Sequence, residues 1–481
     1  MNSAIFQRHI PLLCLAGVLG ACLLIPLRII GYDFVPAGDA RRHVAKALID
    51  KEYPQIVVLP PEYKVDQSPG WDWILRHLHR ATGWGEDGLM SFSVVATLLC
   101  VLAAGLPWLR RPEAWLAALL AQLAALPDLM VRLDQGRPYL VSEGVLICLL
   151  FGWAEEEEGA PSRRKIGLTV IGFALSVWVH GTWYLWVLVP AAFFLAGAWR
   201  RGVWLSACWV AGTLLGALLT GHPVDFLHGA VFTAGAIYRQ HVPAWMLVGE
   251  FQPSEGEFYT LALLALVYLW RLRQIRAKGD LLRQPLFWVI ALCWTLGFQA
   301  DRFWADWGMP AATVWLALQL DEAMEETWPA FSARRLLVCG LIAVPLFLDS
   351  TSDLGVRYTR NHQESFVDAS DPALEGWLPE EGGIFYTADM SFFYNTFYKN
   401  PRGDWRYILG FEPALMPEED LEILRDIQWS RYNWASYKPW IRKMRAQDRL
   451  EIPGAAQPAI PELEWRLAAK DIWIGRPPPR R

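Results

Sequence analysis

Apolar runs of roughly 15 to 22 residues recur along this chain, divided by short charged segments, and runs of that length approach what a helix needs to cross ~30 Å of hydrocarbon. Eleven such windows predict eleven spans, at about 9–30, 91–108, 113–131, 141–153, 166–180, 182–199, 203–220, 258–272, 286–300, 308–321 and 334–350. Several are short, and a pair of short windows also suits a re-entrant hairpin. The first window runs on past Cys22 to Ile30, which fits an uncleaved anchor better than a cleaved leader.

The segments between windows differ in charge. With a cytoplasmic N-terminus, the inner loops contain Arg110-Arg111, Arg163-Arg164-Lys165, Arg200-Arg201, the run from Arg271 to Arg283, and Arg334-Arg335. That is the positive-inside bias, repeated at five loops. The first outer loop, 31–90, and everything after Ser350 then share the extracytoplasmic side. The organisation expected is a transmembrane domain over 1–350 and an outer domain over 351–481, in the inner membrane of a bacterium. In the tail, "GGIFYTADMSFFYNTFYKNP" predicts a strand, a loop at Asp389 and a helix, while "PEEDLEILRDIQW" has a helical period after a proline start. The fold class is therefore an α-helical polytopic membrane protein with a small α/β outer domain.

Composition agrees with this reading. Hydrophobic residues make up 54% of the 481, charged residues 19%, and there are 27 tryptophans, a balance foreign to soluble domains. A net charge of -5 with no basic block points away from nucleic acid. All seven cysteines lie in apolar runs and read as small buried hydrophobes.

Candidate chemistry begins just beyond the first window, in "AGDARRHVAKAL". A helix starting after Gly38 places Asp39 and His43 four apart on one face, with Lys46 a turn further along. An interfacial helix with solvated charges is one account of this segment; an acid held at the mouth of a membrane cavity is another. Downstream come "VDQSPGWDWILRHLHRATGWGEDG", then "RLDQGRPYLVSEGVLICLLF" closing the third window and opening the fourth, then "ALSVWVHGTWYLWVLVPAAFFL".

In this order of features the first 200 residues resemble the GT-C superfamily of membrane glycosyltransferases, in the branch of protein O-mannosyltransferases and aminoarabinose transferases. The resemblance places the acid of the first outer helix at Asp39, the acid opening the fourth span at Glu143, the proline segment at Pro69, and the pair before the proline-ended apolar run at His180-Gly181. Two positions depart from the family's pattern. Gln67-Ser68 stand where a basic residue usually precedes the proline, with Lys64 too early to replace it, and His180 stands for a lysine.

What the resemblance implies is transfer of a sugar, with inversion, from a polyprenyl-phosphate donor to an extracytoplasmic glycan, lipid or protein acceptor. Such a reaction needs cations at the donor phosphate and one carboxylate to take the acceptor's proton. Asp39 is the expected general base, and Glu143 a second carboxylate orienting it or the sugar. Arg302, in "ADRFWADWGMP", is the expected phosphate ligand, since a guanidinium is always charged and forks onto phosphate oxygens; snorkelling to lipid headgroups is its simpler use. His43, Asp134, Arg137, His180 and Arg239 (with His241 beside it) complete the expected substrate-binding set, although Asp134 and Arg137 also suit a pair across a tight loop. No cofactor is demanded by the spacing; a divalent ion on Asp39, His43, His77 and His79 is the one metal arrangement open. Outside this class, an O-antigen polymerase or ligase, a multi-span transporter and a non-catalytic scaffold remain as alternatives. The transporter suits the chain least, because its ionisable residues crowd one membrane edge and the two halves lack repeat symmetry.

Overall fold

Each of the eleven apolar windows coincides with a helix: Ser3–Ile30, Glu86–Leu102, Pro112–Ala125, Tyr139–Ala154, Arg163–Val179, Leu188–Leu195, Trp199–Leu218, Phe258–Gln274, Pro285–Gly297, Met309–Thr327 and Ala333–Thr351. The computed structural model describes residues 3–63, 65–126, 128–154, 160–239, 243, 246–274, 281–327, 331–359 and 364–479. Among the described residues, three stretches are long and apolar enough to cross a membrane by length and composition alone, His9–Ile30, Glu86–Trp108 and Trp199–Leu218. Boundaries moved where the backbone demands it. The second window breaks at Leu102, before a 3-10 turn over Leu106–Trp108 whose second residue is Pro107. The sixth starts as a 3-10 turn, Trp183–Val187, and stops at Gly197, whose φ of +75° lets its N–H and that of Ala198 close back onto Phe194 and Phe193.

The chain forms two compact units. The first comprises 1–34, 91–223 and 249–359; the second comprises 35–90, 224–248 and 360–481.

In the first unit, Ile10, Cys14, Val18, Ala21, Cys22, Ile25 and Ile29 recur at three- and four-residue spacing and are buried, mainly against helix Ala333–Thr351. The opposite face of that first helix, with Leu12, Leu19, Leu23, Leu24 and Leu27, is exposed and equally apolar. A helix apolar on all sides needs lipid or protein around it. Small residues set the tightest crossing: a Cβ on Gly212 would lie 2.4 Å from Phe173 Cβ, and one on Gly216 2.6 Å from the Ala174 carbonyl, so helices Arg163–Val179 and Trp199–Leu218 meet backbone to backbone. Arg335, counted among the inner-loop cations, is buried and forks onto Glu113, Nε to Oε1 at 2.5 Å and Nη2 to Oε2 at 3.1 Å. The seven cysteines are unbridged.

The second unit holds a five-stranded mixed sheet of β1 (Ile384–Tyr386), β2 (Arg406–Tyr407), β3 (Arg449–Pro453), β4 (Glu464–Ala469) and β5 (Ile472–Arg476), in the order β2-β1-β3-β5-β4. β1 runs parallel to both β2 and β3; β5 is antiparallel to β3 and β4. The expected strand, Asp389 loop and helix appear as β1, an N-cap in which Asp389 accepts from Ser391 N at 2.8 Å, and helix Met390–Lys399. The second tail helix is Glu418–Trp429. Helix Asp39–Ala47 of the first loop packs on Met390–Lys399 and on helix Pro69–Thr82, around a core containing Tyr53, Phe385, Phe393 and Tyr407.

Candidate functional site

In the first unit, charge concentrates at one corner. Helix Pro285–Gly297 ends there, and the chain passes through a short turn, Asp301–Phe303, into a π-helical turn, Trp304–Gly308, before helix Met309–Thr327. Single π turns are frequent where a helix must aim a side chain off its regular face. Gly308 permits this one, since a Cβ there would lie 2.4 Å from Trp304 Cε3.

The turn buries Asp306, which receives Arg132 through Nε at 3.1 Å and also through Nη2, and Arg302 through Nε at 3.4 Å. Arg302 continues to Glu250 Oε2 at 3.5 Å, and Glu250 Oε1 meets Arg137. The result is an alternating chain, Arg132–Asp306–Arg302–Glu250–Arg137. Glu250 arrives on a segment stitched to the corner: Asp301 N donates to the Gln252 carbonyl at 2.7 Å, Ser254 N to the Gly297 carbonyl at 2.9 Å, and Trp294 Nε1 to the Gly256 carbonyl at 2.8 Å. The Arg302 guanidinium also lies 5.0 Å from the centre of the Phe251 ring. Arg302 is therefore no snorkelling residue but an internal one, its side chain 13% exposed. Burial and the acids nearby leave Asp301 raised above the usual carboxylate range, although Arg132 opposes this.

Beside this chain opens a cavity of about 260 Å³, open solvent included, whose polar lining includes Tyr139, Ser142, Glu143, His180, Arg302 and Asp306. Glu143 also lines a second, mostly apolar hollow together with Arg132 and Thr313. His180 reaches the cavity because helix Arg163–Val179 ends at it in extended backbone, with Nδ1 3.1 Å from Thr182 Oγ1. Three expected residues, Glu143, His180 and Arg302, thus line one cavity, and Arg137 joins Arg302 through Glu250. Asp134 has another setting. It is buried where helix Leu129–Leu133 ends, ahead of a turn at Gly136 with φ +63°, and burial raises its carboxyl to about 7 against the opposing pull of Arg357. Arg137, which the loop reading paired with Asp134, reaches out to Glu250.

In the second unit the helix does begin at Asp39, after Gly38 at φ +84°. Its charges are not solvated: Arg41, Arg42, His43 and Lys46 are all buried. Asp39, 28% exposed, accepts from Arg42 Nε at 2.7 Å and Tyr394 Oη at 3.2 Å, both on Oδ1. His43, expected to touch substrate, is wholly buried, with Nδ1 2.6 Å from Asp72. Its neighbour on that face, Lys46, ties Asp66 at 2.8 Å to Asp72 at 3.0 Å. Burial raises both carboxyls; at Asp72, Lys46 and His43 together outweigh burial and hold it low, while Asp66 stays raised. Arg41 is spent on Glu364 at 2.6 Å and on Asn395.

The open metal arrangement does not form. His77 and His79 turn to the carbonyls of Trp73 and Trp84 at 2.8 and 2.7 Å, and among the described residues no three His, Cys, Asp or Glu side chains gather as metal ligands. The side chain of Arg239, which ends helix Pro223–Arg239, lies outside the described residues, as do His241 and Lys64.

Arg132, Asp306, Glu250, Tyr139 and Tyr394 escaped the sequence reading. Asp306 stands four residues after Arg302 in a helical stretch, a spacing that signals a pair; Glu250 and Tyr394 carry no local signal.

No family model and no curated protein sequence matches the chain. Among solved structures, the chain is similar to ArnT from Cupriavidus metallidurans bound to undecaprenyl phosphate, with a TM-score of 0.57 and 13% identity over 96% of this chain and 97% of that one. It also aligns with the oligosaccharyltransferase of Archaeoglobus fulgidus in complex with Zn and sulfate, at a TM-score of 0.47 and 11% identity, covering 90% of this chain and 68% of that one. The chain is thus similar in fold to ArnT over nearly all of its length.

Proposed function

We propose that the chain is an integral membrane glycosyltransferase that moves a sugar from a polyprenyl-phosphate donor to an extracytoplasmic acceptor, with inversion at the anomeric carbon. The observation that supports this most is the end-to-end likeness to a protein whose structure holds undecaprenyl phosphate. Beside it stands the arginine-lined cavity of the first unit.

On this reading the bond between the anomeric carbon and the phosphate oxygen breaks, and its electron pair leaves with polyprenyl phosphate. Arg302 receives the charge that grows on that phosphate, through two N–H groups in one plane. His180, which lines the same cavity, adds a donor in place of the family's lysine. The acceptor hydroxyl loses its proton to Asp39 as the new glycosidic bond forms. Arg42 and Tyr394, both on Oδ1, fix the direction in which the carboxylate points. Glu143 bounds the cavity on the sugar side. Asp134, deep beneath its turn, serves the shape of the Arg132–Arg137 loop. Eleven crossings, a cytoplasmic N-terminus and an outer tail domain in the inner membrane complete the reading.

The experiment is transfer itself. Purified protein given a polyprenyl-phosphate sugar and a mixture of envelope lipid and glycan acceptors should release polyprenyl phosphate, and Asp39→Asn and Arg302→Ala should each abolish release without changing the melting temperature by more than a few degrees. Wild-type rates in both variants would defeat the assignment.

A further inference from the structure

Arg302, proposed to hold the donor phosphate, is already holding an anion that it shares with Arg137. Glu250 sets one carboxylate oxygen against Arg137 and the other 3.5 Å from Arg302 Nη2, with its side chain 15% exposed and those of Arg137 and Arg302 19% and 13%. Two guanidiniums converging on one small anion are what a phosphate monoester or diester would also need. The carboxylate spans the same pair with two oxygens, so both anions cannot hold these arginines fully at once. The segment bearing Glu250 is fastened to the corner by backbone hydrogen bonds of Asp301 and Ser254, so the carboxylate is delivered in register and not by chance contact. Asp306 does not duplicate it: it faces Arg132 and the Nε edge of Arg302, leaving the Nη2 edge to Glu250.

We infer that Glu250 is a resident stand-in for the donor's phosphate, an internal carboxylate that occupies the Arg137–Arg302 anion site and is displaced when a lipid phosphate enters. The inference rests on the phosphate reading of Arg302 above and adds to it a competitor built into the chain. Two uses follow from the chemistry. The arginines stay paired and oriented between turnovers, and spent polyprenyl phosphate leaves against a carboxylate ready to replace it, so product release is eased at the expense of affinity.

The test is binding by the full-length protein in detergent micelles, read from tryptophan fluorescence, with farnesyl phosphate as probe and inorganic phosphate as a second probe to separate lipid from free phosphate. Glu250→Gln keeps the shape and removes the charge, and its apparent Kd for farnesyl phosphate should be about ten-fold lower than that of the wild type, the effect of one charge-assisted contact no longer contested. Inorganic phosphate, which must expel the same carboxylate, should gain by the same factor, and a gain confined to farnesyl phosphate would overturn the inference. Should Glu250→Gln fail to fold, Glu250→Asp, whose shorter side chain withdraws from Arg302, should tighten binding in the same direction. Unchanged or weaker binding by the Glu250 variant, alongside weaker binding by Arg302→Gln, would overturn the inference and leave the phosphate reading intact. Absence of farnesyl phosphate binding in wild type and variants alike would overturn both.

Discussion

Tyr394 and Arg42 address the same oxygen of Asp39: the hydroxyl donates to Oδ1 at 3.2 Å and the guanidinium Nε–H at 2.7 Å. Tyr394 comes from the tail and Arg42 from the first loop, so the direction of this carboxylate depends in part on a residue 355 positions away from it in the chain. If Asp39 takes the acceptor's proton, Asp39→Asn should lower the rate of transfer by about 10² to 10⁴. Tyr394→Phe, which loses one hydrogen bond to the carboxylate while Arg42 keeps its own, should cost about ten-fold or somewhat more, in kcat more than in donor KM. Equal losses in the two variants would make Tyr394 part of the fold's integrity, a point that melting curves would settle.

Arg302 is a different kind of position, because a lysine keeps its charge but not its fork. Arg302→Lys should weaken donor binding by about ten-fold or more, since the planar pair of N–H groups is lost. Asp306→Asn should act more mildly on binding but should free Arg132 and Arg302 from their shared acid, and so lower the melting temperature. Titration calorimetry with a polyprenyl phosphate and thermal scans check the two statements separately.

Asp134 predicts a pH dependence of stability. Its carboxyl titrates at about 7 in the folded protein and near 3.9 in an unfolded chain, so the folded state holds the proton more tightly. Stability from this group is full below about pH 4 and is lost as pH rises towards 7, by about 4 kcal/mol over three units. Melting temperatures in detergent should fall from pH 4.5 to 7.5, and Asp134→Asn should flatten that slope. An identical slope in the variant would assign it elsewhere.

The buried pair Arg335–Glu113 makes a prediction about the fold alone. Glu113→Ala leaves a guanidinium inside the protein without its counter-charge and should cost about 3 to 5 kcal/mol, whereas replacing both partners, Glu113→Leu with Arg335→Met, should be close to neutral. Chemical denaturation in mixed micelles distinguishes the two.

Periodicity made the helices legible, because a window of apolar residues and the charges that end it are local facts. The same holds for the Asp389 cap and for the helix start at Gly38. Strands β3 to β5 were not legible: "RLEIP" and "IWIGR" are short and lack clean alternation, and what pairs them is register with one another. At the candidate site, Glu143, His180 and Arg302 were found because each stands in a recognisable setting of its own. Glu250 was not, because its importance lies in meeting Arg137 across more than a hundred residues. Of the two accounts of the opening segment, the solvated interfacial helix is the one that its burial does not fit. The partners of Arg41, His43 and Lys46, which are Glu364, Asp66 and Asp72, come from elsewhere in the chain and draw these side chains inside, which no local pattern could announce.

Lys46 has one more consequence. By clamping Asp66 and Asp72 while His43 braces the latter, it welds the short helix bearing Asp39 to its support, and pulling that helix away would strand several ions without water. The acid is thus mounted like a fixed anvil rather than on a lever. Whatever flexes to admit a bulky acceptor must be some other part of the molecule, and mutations that loosen this mounting should blunt selectivity for the acceptor before they touch recognition of the donor.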